Sequence, residues 1–140
     1  MRIVIDADCL IAGTLTSTGA TSELLDLWQS GEFELIVCPQ LIHEVRKALL
    51  HPRIAKKYDI TPEEAGSFAS RLSEEGLLFG DPVDPPRLVP DDPQDDYLVA
   101  LALAAESDAL VTRDRHFDRV RVRGLPIVSA RQMVRRLRVP

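Results

Sequence analysis

"MRIVIDADCLIAG", residues 1–13, decides how the rest of the chain is read. Its "RIVI" run (2–5) is continuously apolar rather than alternating, the pattern of a strand covered on both faces in a parallel sheet. The run ends in two acids, Asp6 and Asp8, and then turns apolar again. A chain seldom aims carboxylates at its own interior unless something positive waits there. A polar strand end is one reading; an acidic site at the edge of a sheet is the other. The arrival of further acids at the same place would decide between them.

Three more apolar runs share this character: "ELIV" (34–37), "ALVT" (109–112) and "PIVS" (126–129), with "RLV" (87–89) as a weaker fifth. Helix patterns separate them. "ATSELLDLWQSG" carries the stripe Leu24, Leu27 and Trp28 and stops at Gly31. "PQLIHEVRKALL" places Pro39 in its first turn and Leu41, Val45 and Leu49 on one face. Thr61-Pro62-Glu63-Glu64 and Ser129-Ala130-Arg131-Gln132 are capping boxes, the first launching a helix through about Glu75 and the second the last helix. Alternating strands and helices predict a three-layer α/β/α fold around a central parallel sheet of about five strands, with right-handed crossovers. Residues 1–140 suit one domain, and the proline cluster from Pro82 to Pro93 reads as a loop within it.

No apolar stretch approaches the roughly 18 residues of a membrane span, and the N-terminal residues lack a secretory pattern, so a soluble cytoplasmic protein is expected. Cys9 and Cys38 have no metal-type spacing and read as small buried hydrophobes. The net charge of −5 hides an asymmetry. From residue 110 onward nine arginines face only Asp114 and Asp118, a balance of +7 that leaves −12 on the first 109 residues. A basic tail of this kind is either a solvated face, matched to an acidic partner surface, or a rim that holds phosphates.

In an open parallel sheet the crevice at the carboxyl ends of the strands is where ligands bind. Asp6 lands there, with Asp8 just beyond. The end of "ALVT" brings Thr112 and Asp114 to the same rim if its strand neighbours the first. Glu44 lies in the second turn of the helix after "ELIV", at the border of its apolar stripe; pairing with Arg46 or Lys47 is its bland alternative. In "DDPQDDYLVALALAAE" (91–106) the helix is apolar almost throughout, yet its first turn carries Asp95 and Asp96. Asp96 shares a stripe with Val99, Ala100 and Leu103 and is expected inside, whereas Asp95 is better placed as the cap. Asp6, Glu44, Asp96 and Asp114 would then crowd one pocket, with Asp8 and Asp92 nearby. Carboxylates gathered without a counter-charge repel one another. Mg²⁺ or Mn²⁺, one ion or two, satisfies them because hard cations prefer oxygen ligands and also take substrate phosphate oxygens. His43 and His51 read as surface or packing residues; His116, beside Asp114, is placed to touch a phosphate.

With these residues in order, the chain resembles the PIN-domain family, in particular the VapC-like toxin ribonucleases of toxin–antitoxin pairs. "DADCLI" matches the family's first motif at Asp6, "CPQLIHEV" its acidic helix at Glu44, Asp96-Tyr97-Leu98-Val99-Ala100 its Asp-x-x-(Ile/Leu/Val)-Ala segment, and "TRDRHF" its Thr-x-Asp-x-x-Phe segment at Thr112 and Asp114. The resemblance implies a strand order of 3-2-1-4-5, frequent homodimers and a cognate antitoxin. The usual Asn of the first motif is Asp8 here, which adds a metal ligand, shifts local charge by one, or preserves a hydrogen bond.

The leading expectation is therefore a metal-dependent endoribonuclease acting on single-stranded or loop RNA. Asp6, Glu44, Asp96 and Asp114 would be its catalytic metal ligands, with Thr112, Arg113, Arg115 and His116 contacting substrate. The alternatives are a PIN-like module that binds RNA or protein without cutting, and a haloacid-dehalogenase-like phosphatase. The phosphatase needs a lysine after the threonine motif, and the last lysine is Lys57. A receiver-like signalling domain fails for the same reason.

Overall fold

The computed structural model describes residues 1–139. Five strands, β1 (Arg2–Ile5), β2 (Glu34–Val37), β3 (Leu77–Leu78), β4 (Ala109–Val111) and β5 (Ile127–Val128), form one sheet in the order β3-β2-β1-β4-β5. Every neighbouring pair is parallel. Among the described residues seven helices flank it: α1 (Ala7–Leu15), α2 (Ala20–Gln29), α3 (Pro39–Leu50), α4 (Pro52–Tyr58), α5 (Pro62–Glu75), α6 (Asp96–Ala104) and α7 (Ala130–Arg138). This is the three-layer α/β fold that the apolar runs predicted.

The central position of β1 follows from its side chains. Ile3, Val4 and Ile5 are at most 1% exposed although successive side chains point to opposite faces, so both faces are covered. α6 packs on β1 and β4; α1 contacts α2 and α3, which in turn reach α7 and α5. Cys9 and Cys38 are both buried and free, and burial pushes both thiols up, so they behave as apolar packing groups.

The third strand lies elsewhere than expected. It is Leu77–Leu78, directly after α5, and "RLV" (87–89) is loop. β-branched character at Val89 imitates a strand, but the N–H groups of Leu88 and Val89 donate to a side chain instead of a ladder. α1 and α4 are also helices that the apolar patterns did not announce, and Asp8 sits in the first turn of α1.

Gly76 ends α5 and starts β3. Its φ of −76° suits any residue, so space rather than conformation demands glycine. A Cβ there would meet the Leu72 carbonyl oxygen at 2.4 Å and Val37 Cγ2 at 2.9 Å. Gly76→Ala is expected to lower stability by about 1–3 kcal/mol, the usual cost of overpacking, read as a lower urea midpoint. An unchanged midpoint would mean that α5 and β2 separate freely at this point.

Candidate active site

The carboxyl edge of the sheet is built around Asp6. Its backbone N–H donates to the Val111 carbonyl at 3.0 Å, which fixes the exit of β1 against the end of β4. Its side chain caps α1, Oδ1 accepting from the Cys9 N–H at 2.8 Å. Oδ2 accepts from the Thr112 hydroxyl at 2.5 Å. The same hydroxyl accepts from the Asp114 N–H at 3.0 Å. Thr112 thus holds Asp6 and Asp114 in a fixed relation with its own proton already committed. Asp6 is 4% exposed. Burial pushes its carboxyl up, while the Thr112 and Cys9 bonds oppose the shift.

Glu44 arrives from the second turn of α3, half-buried, and Tyr97 of α6 donates its hydroxyl to Glu44 Oε2 at 2.7 Å. Burial pushes Glu44 upward, the Tyr97 bond pulls it down, and the charge of Asp8 adds to the rise. Asp114 follows β4, half-buried, with Oδ1 accepting from the His116 N–H at 2.9 Å. His116 Nδ1 lies 3.2 Å from Asp114 Oδ1 and 3.4 Å from Asp92 Oδ2.

The two acids at the start of α6 hold the positions expected of them, one inside and one at the cap, but their partners were not foreseen. Asp96 is inside, 3% exposed, but its carboxylate is occupied by the proline-rich loop. Oδ1 accepts from the N–H groups of Leu88 at 2.9 Å and Val89 at 2.6 Å, and Oδ2 lies 3.3 Å from Arg87 Nε. Asp95 occupies the cap position without a side-chain capping bond. Its carboxyl is pushed up to about 7 by burial first, then by the charges of Asp92, Asp114, Glu44 and Asp6. Asp95 therefore stands in the electrostatic field of the acids that the sequence gathered, and Asp96 is engaged elsewhere. Ligand-bearing atoms of Asp92, Asp95 and His116 lie within 4.8 Å of one another.

The remaining expected residues lie at the rim. Asp8 is exposed in the first turn of α1; Arg113 and Arg115 are exposed after β4. The Arg113 charge reaches Cys9, next to Asp6 on the chain's first helix. Arg119 pairs with Asp91, tying the segment after β4 to the proline-rich loop.

Among the described residues no Lys or Arg forms an ion pair with Asp6, Glu44, Asp95 or Asp114. The donor set is oxygen-rich, partly buried and short of positive charge, with one imidazole beside it. A hard divalent cation fits that chemistry; a zinc site built from thiolates does not.

The PIN domain family profile matches residues 2–116, a span that includes Asp6, Glu44, Asp95, Asp96 and Asp114. Among solved structures, PAE2754 from Pyrobaculum aerophilum superposes with a TM-score of 0.66 at 18% identity, covering 98% of this chain and 95% of its own. That likeness is one of fold. No curated protein matches the chain.

Proposed function

The chain belongs to the PIN-domain family, generally metal-dependent nucleases, and from that premise we propose that it is a divalent-metal-dependent endoribonuclease cutting single-stranded or loop RNA. The observation that carries this reading is Asp95: a half-buried carboxyl with no capping bond, surrounded by the charges of four other acids. The fold-level likeness to the P. aerophilum protein adds nothing about substrate.

In this reading Asp6, Glu44, Asp95 and Asp114 hold one or two Mg²⁺ or Mn²⁺ ions, with Asp8 and Asp92 at the rim, and Asp96 positions the loop instead of binding metal. When bound, such ions supply Lewis acidity toward the phosphate and an activated water. The protein's own groups fix the ligands. Thr112 orients Asp6 and Asp114, and Tyr97 orients Glu44, so little reorganisation is needed. Arg113 and Arg115 hold phosphate oxygens of the RNA. His116 has Nδ1 beside two carboxylates, leaving Nε2 for a phosphate contact. Aspartyl-phosphate chemistry on Asp6 falls with the family assignment.

The test uses labelled single-stranded RNA with Mg²⁺, Mn²⁺ or EDTA, comparing the protein with Asp6→Asn. Metal-dependent cutting that the substitution abolishes is the expected result. Retention of RNA without cutting under either metal would make the chain a binding module only.

The same reading extends to biology. The chain acts as the toxin of a toxin–antitoxin pair in the cytoplasm, a homodimer restrained by a small partner protein. Among the described residues no helix is long and apolar enough to cross a membrane. Expression of the chain alone is expected to halt growth, and Asp6→Asn to relieve the arrest; growth unaffected by an active nuclease would remove the toxin role and leave the chemistry.

A further inference from the structure

A cleft of about 710 Å³ opens between the segment joining β4 to β5 and the start of α7. It shares Thr112 and Asp114 with the acidic site, so the two are one continuous surface. Val122, Ile127 and Val128 line it and are half-buried, over the buried Phe117, Val120 and Leu125, which gives it an accessible apolar floor. Its walls carry Arg113, Arg121 and Arg123, and among the described residues none of these three forms an ion pair. Arg121 spends one guanidinium nitrogen on the Asp118 and Val120 carbonyls, which fixes its arm while other N–H groups stay free. Among the described residues, Asp118 is the only acid of the cleft besides Asp114.

The basic character continues past the cleft. Gln132 of α7 lines it, and the exposed Arg135 and Arg136 follow three and four residues later, on the same helix face. The four other arginines of the tail, Arg115, Arg119, Arg131 and Arg138, add to the bias, on a chain whose first 109 residues carry −12. A ligand that runs from an acidic metal centre into a cleft with arginine walls and an apolar floor must be a flexible polyanion with flat apolar groups.

Resting on the nuclease reading, we propose that this cleft is the track for the nucleotides flanking the cleaved bond, binding a single RNA strand by its phosphates through Arg121 and Arg123 and by its bases over Val122, Ile127 and Val128. A duplex hides its base faces and would leave the floor unused, whereas an unpaired strand can offer them. The cleft therefore selects unpaired RNA and makes affinity depend on strand length beyond the cut bond.

The test pairs Arg121→Ala/Arg123→Ala with Arg53→Ala/Lys56→Ala, which removes the same charge from α4. Binding of a long labelled strand is followed by anisotropy across a salt series, with Ca²⁺ in place of Mg²⁺; cleavage is followed with Mg²⁺ on the long strand and on a dinucleotide. The cleft pair is expected to weaken long-strand binding by about tenfold or more and to lower the log–log salt slope by roughly 0.7 per arginine. Its KM should rise far more for the long strand than for the dinucleotide. The α4 pair should behave as the unsubstituted protein. Equal losses in both pairs, or unchanged binding in the cleft pair, would overturn the proposal, as would displacement of the strand by poly-glutamate at equal charge. If the protein cuts no RNA yet binding still depends on the two arginines, the nuclease reading fails and the cleft stands; if cutting is normal and the arginines are silent, the reverse holds.

Discussion

Asp95→Asn is expected to abolish RNA cleavage, by at least about 10²–10³-fold in kcat, while making the metal-free protein more stable. The rate loss is on the scale of removing one pre-positioned charge-stabilising group. The gain in stability follows from linkage. Burial and four neighbouring acids raise the Asp95 carboxyl from 3.8 to about 7 in the folded chain. Between those values the native state binds more protons at this group than the unfolded one, so Asp95's contribution to the stability of the metal-free protein is greatest at the acid end and declines as pH rises toward 7. Asp6 and Glu44 are raised in the same direction. The amide carries no charge to repel, so Asp95→Asn flattens this decline and lifts the Tm by a few degrees above neutral pH without metal. Added Mg²⁺ should stabilise the unsubstituted protein and do much less for the variant. Thermal melts from acid to neutral pH, with and without metal, check all three points; a lower Tm in the variant at neutral pH would mean that Asp95 is a structural cap.

Asp96 is expected to give the opposite pair of results. Asp96→Ala strips the acceptor from the Leu88 and Val89 N–H groups, and Val89 is fully buried. Orphaned buried donors cost about 1–3 kcal/mol each, so the loss is about 2–5 kcal/mol. The Arg87 contact contributes little of this because its side chain is 62% exposed. Asp96→Asn keeps one acceptor oxygen and loses only the charge assistance, about 1–2 kcal/mol. That variant should be less stable in urea yet cut RNA within about tenfold of the unsubstituted rate wherever it is folded, because its part is to hold the loop. A folded Asp96→Asn without activity, beside an active Asp95→Asn, would return the metal-binding role to Asp96.

The partners of these neighbouring acids lie beyond what the sequence could show. Amphipathic periodicity places a residue only when a helix has a polar side to contrast with, and α6 is buried at Asp96, Tyr97, Leu98, Val99, Leu101 and Ala102. The stripe that suggested Asp96 is buried at Asp96 and Val99 but 42% exposed at Leu103, so it does not mark a single packed face. What separates the two acids is a loop eight residues upstream delivering two N–H groups, a tertiary event with no periodic trace. β3 was illegible for a related reason: two residues are too short to show a pattern. β1, β2 and β4 were legible because their burial writes an unbroken apolar run; β5 is two half-buried residues and was read from the "PIVS" run around it. Asp6, Glu44 and Asp114 were legible because each follows or faces the end of such a strand.

The all-parallel sheet has a consequence for the timing of activity. No two acids of the centre are joined by a local hairpin: Thr112 meets Asp6 across 106 positions of sequence, and Tyr97 meets Glu44 across 53. A chain leaving the ribosome N-terminus first carries Asp6 long before β4 exists to fix it. A nascent chain consequently lacks the assembled acidic centre until about four-fifths of its residues have been made, since Thr112 and Asp114 stand that far along the sequence.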